Sequence, residues 1–294
     1  MGAQPDPNRQ SLPPPGTVMG GRYRLTRLIA AGGMGAVYEA ADQGAEGRPV
    51  ALKLLHPELT TERDVRRRFR RESSVLLALD HACIVRVLDV GTSDDELLFT
   101  VMELLDGETL HERLERTGQL DAEGLAPIVE GMAQGMTAAH EHGVIHGDLK
   151  PANVFLLAEP GDALPVKLLD FGLSKVLGLE RLTRTGELIG TPAYMAPELL
   201  TGKGELDERI DTYAIGVILY QCLAGHAPFR GKVPGKLMMD IVMGQAPPLS
   251  EVASEVPPDV AAVVSQAMSR QRERRFGSAA ALARAYHAAL GSAG

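Results

Sequence analysis

Three side chains suited to group transfer fall together in segment 144–156, VIHGDLKPANVFL. Asp148 can accept a proton from a hydroxyl, and Lys150 can neutralise a phosphate in transfer. Asn153 can offer its amide oxygen to a hard cation. Segment 166–172 reads VKLLDFG, and Asp170 stands just past its apolar strand, where a carboxylate can hold Mg2+. Upstream, 28–40 reads LIAAGGMGAVYEA. Glycines between two strands, here Gly32, Gly33 and Gly35, let backbone N–H groups approach phosphates with no Cβ in the way. An ordinary hairpin turn would carry the same residues. No helix follows these glycines, which disfavours a dinucleotide-binding fold. Lys53 sits in the apolar strand VALKLL. A buried ammonium needs a partner, and Glu72 in the following helical segment is the candidate. The plainer alternative is a lysine at a strand edge in solvent.

The elements that must position these groups show in the periodicity. Alternation from Tyr23 to Tyr38, broken by the glycines, predicts strand, turn, strand. Residues 50–55 predict another strand, and 84–90 and 97–104 two more, joined by a turn at 92–95. Between them 62–79 predicts a helix, with Val65, Phe69, Ser73, Leu76 and Leu79 recurring at threes and fours. From about residue 108 the pattern is mostly helical. Leu125, Ile128, Val129, Met132 and Met136 form one stripe over 122–142. Short strands are expected at 153–157 and 166–169, and helices at 207–225, 234–243, 258–270 and 278–290. A β-rich unit followed by an α-rich unit, joined near residue 105, is an α+β arrangement with a cleft between its lobes.

Composition narrows the class. At about 150 residues per domain, 294 residues make two compact units or one large two-lobed one. A hydrophobic fraction of 45% with 23% charged residues excludes collagen, coiled coil and wholesale disorder. Asp and Glu outnumber Lys and Arg by 38 to 30, a net charge of −8, which argues against nucleic acid as a partner. Cys83 and Cys222 cannot build a disulfide framework and fit a reducing, cytoplasmic setting. The longest strongly apolar stretch, about 213–225, is too short to span a bilayer, so no membrane association is expected. The N-terminus lacks the apolar run of a secretory signal. Asp6 stands where a myristoylation signal has Ser or Thr. Five prolines and few apolar residues predict a disordered tail over 1–18.

Taken in order, these motifs resemble the protein kinases of the bacterial serine/threonine type, over about residues 20–290. The resemblance implies a bilobal kinase domain over 19–291. Its N-lobe, 19–105, would be a small antiparallel β-sheet plus one helix, and its C-lobe, 106–291, mainly helical. It implies ATP and Mg2+ as cofactors, and Ser or Thr hydroxyls of proteins as acceptors, in signal transduction. Ile29, Ala30, Gly32, Gly33 and Gly35 would lie at the nucleotide and its phosphates. Lys53 would hold the α- and β-phosphates and pair with Glu72. Val37, Ala51 and Phe155 would sandwich adenine, behind the gatekeeper Met102 and beside the hinge from Glu103 to Leu105. Asp148 would be the base, aided by Lys150, and Asn153 and Asp170 would hold two Mg2+ ions. Thr191 would link base and lysine, and with Asp148-Leu149-Lys150-Pro151 it implies Ser/Thr specificity. Residues 170–198 would form the activation segment, with Ser174, Thr183 and Thr185 as candidate autophosphorylation sites. Glu198 would pair with Arg275, Asp211 would anchor the catalytic loop, and His146 would pack under Phe171 beside Leu76.

Three positions depart from the family. Ala30 replaces the first glycine of the loop, which a methyl tolerates if φ is negative. Gly147 stands where the family has the arginine that clamps a phosphorylated loop. Gln271 and Arg272 replace an Asp-Pro pair ahead of Arg275. Gly147 and Ala30 keep a pseudokinase binding module in view, and His146-Gly147-Asp148 also resembles aminoglycoside-type phosphotransferases. The arginines at 63, 66, 67, 68, 70 and 71 suit a solvated helix face or a docking surface for an acidic partner.

Overall fold

Residues 12–32, 35–56, 67, 69, 75–93, 95–161, 164–171, 192–202, 207–231 and 233–292 are described by the computed structural model. The proline-rich residues 1–11, Gly33, Glu72, most of the arginine-rich segment, and 172–191 with Ser174, Thr183, Thr185 and Thr191 lie outside the described residues. The chain divides into two compact units, with cuts at Ser73/Ser74, Val85/Arg86 and Leu105/Asp106.

Consecutive antiparallel pairings build the sheet of the first unit. Its strands are β1 (Val18–Met19), β2 (Tyr23–Gly32), β3 (Gly35–Asp42), β4 (Arg48–Leu55), β5 (Val87–Thr92) and β6 (Leu98–Glu103). They pair antiparallel in the order β1-β2-β3-β4-β6-β5. Leu25, Ala36, Tyr38, Ala40, Val50, Leu52, Leu54, Phe99 and Val101 pack together as one core. Because successive side chains point to opposite faces, the intervening residues Val37, Ala51, Lys53, Thr100 and Met102 share the other face. Gly35 closes the β2–β3 turn at φ +152°, and a Cβ there would stand 1.9 Å from the Leu54 carbonyl oxygen, so the position demands glycine.

The end of the proline-rich segment is held. Leu12 packs on the sheet core, the Tyr38 hydroxyl donates to the Pro13 carbonyl (2.9 Å), and the Gly16 amide donates to the Leu25 carbonyl (2.7 Å). This corrects the reading of 1–18 as uniformly disordered. Composition averaged over 18 residues conceals a single apolar anchor.

In the second unit a small antiparallel sheet joins β7 (Gly107–Thr109), β8 (Val154–Leu157) and β9 (Val166–Leu168). The longer helices are α1 (Leu110–Thr117), α2 (Ala122–Glu141), α4 (Arg209–Ala224), α5 (Pro234–Met243), α7 (Pro258–Ala267) and α8 (Ala279–Gly291); the short ones are α3 (Pro197–Thr201) and α6 (Leu249–Val252). Helix α4 is buried on all sides: every residue from Ile210 to Tyr220 lies in the interior. Helix α1 buries only Leu110 and Leu114, and a Thr109–Glu112 capping box secures its start. So short and polar a helix leaves little periodic signal, and the sequence reading passed over it. The expected strand at 84–90 begins later, at Val87. Residues 83–85 instead pair with β9: the Val85 amide donates to the Leu168 carbonyl (2.9 Å) and the Leu168 amide to the Cys83 carbonyl (2.8 Å). No helix among the described residues is long and apolar enough to cross a membrane.

Both cysteines are buried free thiols. Burial raises the Cys83 thiol and pushes Cys222 up to about 12. The thiolate is the reactive form, so iodoacetamide at neutral pH is expected to label neither in the folded protein and both in denaturant. Mass spectrometry of the alkylated chain checks this.

Candidate catalytic site

In the first unit the site residues follow from strand register. Val37 lies opposite Lys53, and Lys53 opposite Thr100, so the three form one row across β3, β4 and β6. Ala51 pairs with Met102 one row away. Lys53, Thr100, Ala51 and Met102 are buried and Val37 is half-buried, so the lysine stem lies in a mostly apolar strip. Ile29 and Ala30 are exposed at a register shift in β2. The described non-glycine residues with positive φ are Glu46, Glu96 and Asp170; Ala30 is not among them, so its methyl fits the backbone. Gly32, where β2 ends before the glycine turn, has a support that the sequence pattern does not show. His56 is buried, and its Nε2 lies 2.8 Å from the Gly32 carbonyl. A carbonyl only accepts, so Nε2 carries the proton, and Nδ1 is buried with no partner among the described residues. A lone histidine after a strand gives no periodic cue. At the far end of β6, the Glu103 amide donates to the Arg86 carbonyl (3.0 Å), and the Arg86 amide to the Glu103 carboxylate (2.8 Å). Leu105 is half-buried just beyond.

In the second unit a loop leads from α2 to the turn Pro151–Asn153 that opens β8. One buried carboxylate holds it. Asp211, in the first turn of α4, is 1% exposed and accepts three hydrogen bonds. The Gly147 amide donates to Oδ1 (2.9 Å); the His146 amide (2.9 Å) and the His140 ring Nε2 (2.8 Å) donate to Oδ2. His140 Nδ1 also lies 3.5 Å from Glu208. The anchoring role of Asp211 follows the family resemblance, whereas His140 escaped notice because a histidine near a helix end is commonplace. Gly147 sits at φ +72°, the left-handed region that glycine enters without strain.

His146 is fully buried and ties this loop to the Asp170 segment. Its Nε2 donates to the Leu169 carbonyl (2.8 Å), and its Nδ1 accepts from the Asp148 amide (3.3 Å), which fixes the neutral tautomer. Its ring lies 4.7 Å from that of Phe171, and Leu76 is buried in the same unit. The Leu169 amide donates to the Asn153 carbonyl (2.9 Å). Asp148 and Lys150 meet side chain to side chain at 2.7 Å, both half-shielded from solvent. The Asn153 amide nitrogen donates to the Asp148 carbonyl (2.8 Å). That contact commits the nitrogen and leaves the Asn153 side-chain oxygen for a cation. Asp170 is held at φ +63°, a costly conformation for a residue other than glycine and one that clusters at functional sites. Phe155 is half-buried in β8, opposite Thr109 and Lys167.

The donor set fits a hard divalent ion. Asn153 would offer an amide oxygen and Asp170 a carboxylate, both hard oxygen donors. A magnesium-type site has this character, one or two protein oxygens completed by phosphates and water.

Glu198 and Arg275 meet in two parallel hydrogen bonds of 2.6 and 2.8 Å. Arg275 is fully buried, donates also to the Ser269 carbonyl (2.7 Å) and stacks over Tyr213 at 4.8 Å. Gln271 and Arg272 do not prevent this pairing.

Comparison with known proteins agrees with these features. The family model "protein kinase domain" matches residues 23–287. The serine/threonine-protein kinase pkn2 of Myxococcus xanthus is 36% identical over 82% of this chain and 29% of its own length. PkaB of Streptomyces coelicolor is 37% identical over 81% of this chain and 57% of its own. PknA of Mycobacterium tuberculosis is 35% identical over 90% of this chain and 60% of its own. The chain thus spans less than two thirds of each of these relatives. Among solved structures, the kinase domain of Mycobacterium tuberculosis PknI superposes with a TM-score of 0.77 at 29% identity, over 95% of this chain and all of that one.

Proposed function

Since this chain belongs to the protein kinase family, with bacterial serine/threonine kinases as its relatives, we propose that residues 19–291 transfer the γ-phosphoryl group of ATP, with Mg2+, to serine or threonine hydroxyls of proteins. The observation that carries this reading is the bonded set in the second unit: Asp148 against Lys150, with Asn153 and Asp170 tied to the same loop. Asp148 accepts the hydroxyl proton at its carboxylate as the oxygen attacks phosphorus. Lys150 stabilises charge building on the transferred group. Asn153 and Asp170 would hold the divalent ion, which shields phosphate charge when bound. In the first unit, Lys53 and the Gly32–Gly35 turn would grip the phosphates, and Ala51, Val37 and Met102 would line the base.

Gly147 has no side chain to clamp a phosphorylated activation segment. Any control through Ser174, Thr183 or Thr185 then runs through other cations. The retention of Lys53, Asp148, Asn153 and Asp170 supports turnover over a binding-only role. We place this activity in cytoplasmic signalling.

The test is direct. The purified chain is incubated with labelled ATP, Mg2+ and a generic protein substrate, beside an Asp170→Ala control. Label on protein Ser or Thr that the control lacks is the expected result; nucleotide binding with no transfer to any protein, the chain included, would refute it. Mass spectrometry shows which hydroxyls of the chain itself are modified.

The support under the glycine turn gives a finer expectation. One hydrogen bond is worth about 0.5–1.5 kcal/mol, so His56→Leu should raise the KM for ATP about threefold to tenfold, with kcat little changed. His56→Gln, which keeps a donor, should restore much of the affinity. Equal KM values in all three proteins would remove His56 from this role.

A further inference from the structure

The second unit contains a groove of about 880 Å³ that the catalytic reading does not use. It runs along α4, with Tyr213 and Tyr220 in its floor. The end of α5 and the loop 244–250 form one wall, and α7 with residues 268–271 the other. Three independent features point to an occupant.

The first is charge. Among the described residues, Arg270 and Arg274 are the only charged side chains lining the groove. Both are exposed, and neither has an acidic partner among the described residues; Arg270 reaches only the Met243 carbonyl, at 3.4 Å. Their neighbours differ: Arg272 pairs with Glu273 and Asp207, and Arg275 with Glu198. Two unneutralised guanidiniums stand out on a chain of net charge −8. The second is an unmet hydrogen bond. Tyr220 is 2% exposed and its hydroxyl has no partner among the described residues, a cost that an incoming polar group would relieve. The third is an apolar rim. Met239 and Met243, one turn apart on α5, are 63% and 66% exposed, and Met243 lines the groove. Exposed methionines suit adaptable binding surfaces.

We propose that this groove docks an acidic segment of a partner protein that also carries a large apolar side chain. Its carboxylates would meet Arg270 and Arg274, its apolar side chain would cover Met243, and a main-chain group would satisfy Tyr220. The apolar strip continues past the groove to Met239, so the occupant is an extended peptide rather than a compact metabolite. The proposal concerns binding and does not depend on catalytic turnover.

Fluorescence anisotropy with two labelled octapeptides tests it: Glu-Glu-Leu-Glu-Phe-Glu-Glu-Leu, and its counterpart with every Glu replaced by Lys. The acidic peptide is expected to bind the wild-type chain and the basic one not to. The double variant Arg270→Glu/Arg274→Glu should lower affinity for the acidic peptide about tenfold or more. Met239→Ser/Met243→Ser should lower it as well, with the charge contacts intact. All four positions are exposed, and unchanged melting temperatures would show that both variants fold. Equal binding of the two peptides, no binding of the acidic one, or indifference to the double charge reversal would each overturn the proposal. So would sedimentation showing that the wild-type chain dimerises and the charge-reversed variant does not; the groove would then belong to a contact between copies.

Discussion

Replacing Asp148 by asparagine is expected to slow phosphoryl transfer to protein by about 10²- to 10⁴-fold, the usual contribution of a placed general base. The asparagine keeps the side chain's size and an oxygen toward Lys150, 2.7 Å away in the wild type. It loses the capacity to take the acceptor's proton. Among the described residues, Lys150 is the side chain that this carboxylate binds. The loop hangs from Asp211 through the His146 and Gly147 amides, and Asn153 binds the Asp148 carbonyl, which the substitution leaves in place. The melting temperature and the affinity for a fluorescent ATP analogue should therefore stay near wild type while the initial rate collapses. A rate within about fivefold of wild type would remove Asp148 from proton transfer.

The second large effect is on stability. Arg275→Ala would strand Glu198, whose carboxylate is 12% exposed and takes two hydrogen bonds from that guanidinium. Removing one partner of a buried pair costs about 3–5 kcal/mol, because the remaining charge stays desolvated. The Ser269 carbonyl and the Tyr213 ring would lose their partner too. At about 2–4 °C per kcal/mol for a chain of this size, the melting temperature should fall by roughly 10 °C in a thermal scan. The double variant Glu198→Ala/Arg275→Ala should be no less stable than Arg275→Ala alone, since no charge is stranded. A single variant that melts within about 2 °C of wild type would show that the pair contributes specificity and little stability.

The residues of the transfer loop were legible because their chemistry leaves few alternatives. An acid, a lysine and an amide within six positions, followed by Asp170 after an apolar strand, are recognisable without coordinates. Periodicity also located α2, whose buried positions recur from Ala122 to Ala139, and a continuous apolar run located α4. What escaped was whatever depends on distant residues meeting. His140 reaches Asp211 across 71 positions, and His56 reaches Gly32 across 24. Neither leaves a local pattern. Short elements escaped for a related reason: β1, β7 and α1 are fixed by pairing or caps, with too few apolar positions to show a period. The pairing of residues 83–85 with β9 likewise depends on backbone bonds that side-chain patterns do not record.

The burial of α4 from Ile210 to Tyr220 sets a lifetime as well as a shape. Amides in an interior helix exchange with solvent only when the structure opens around them. Asp211 belongs to that helix, so its grip on the His146 and Gly147 amides lasts as long as α4 stays closed. The backbone just before Asp148 therefore inherits the slow clock of the interior, although Gly147 lies in a loop and carries the most permissive residue. In hydrogen exchange, the His146 and Gly147 amides should be protected on the timescale of α4 and not on that of neighbouring loops.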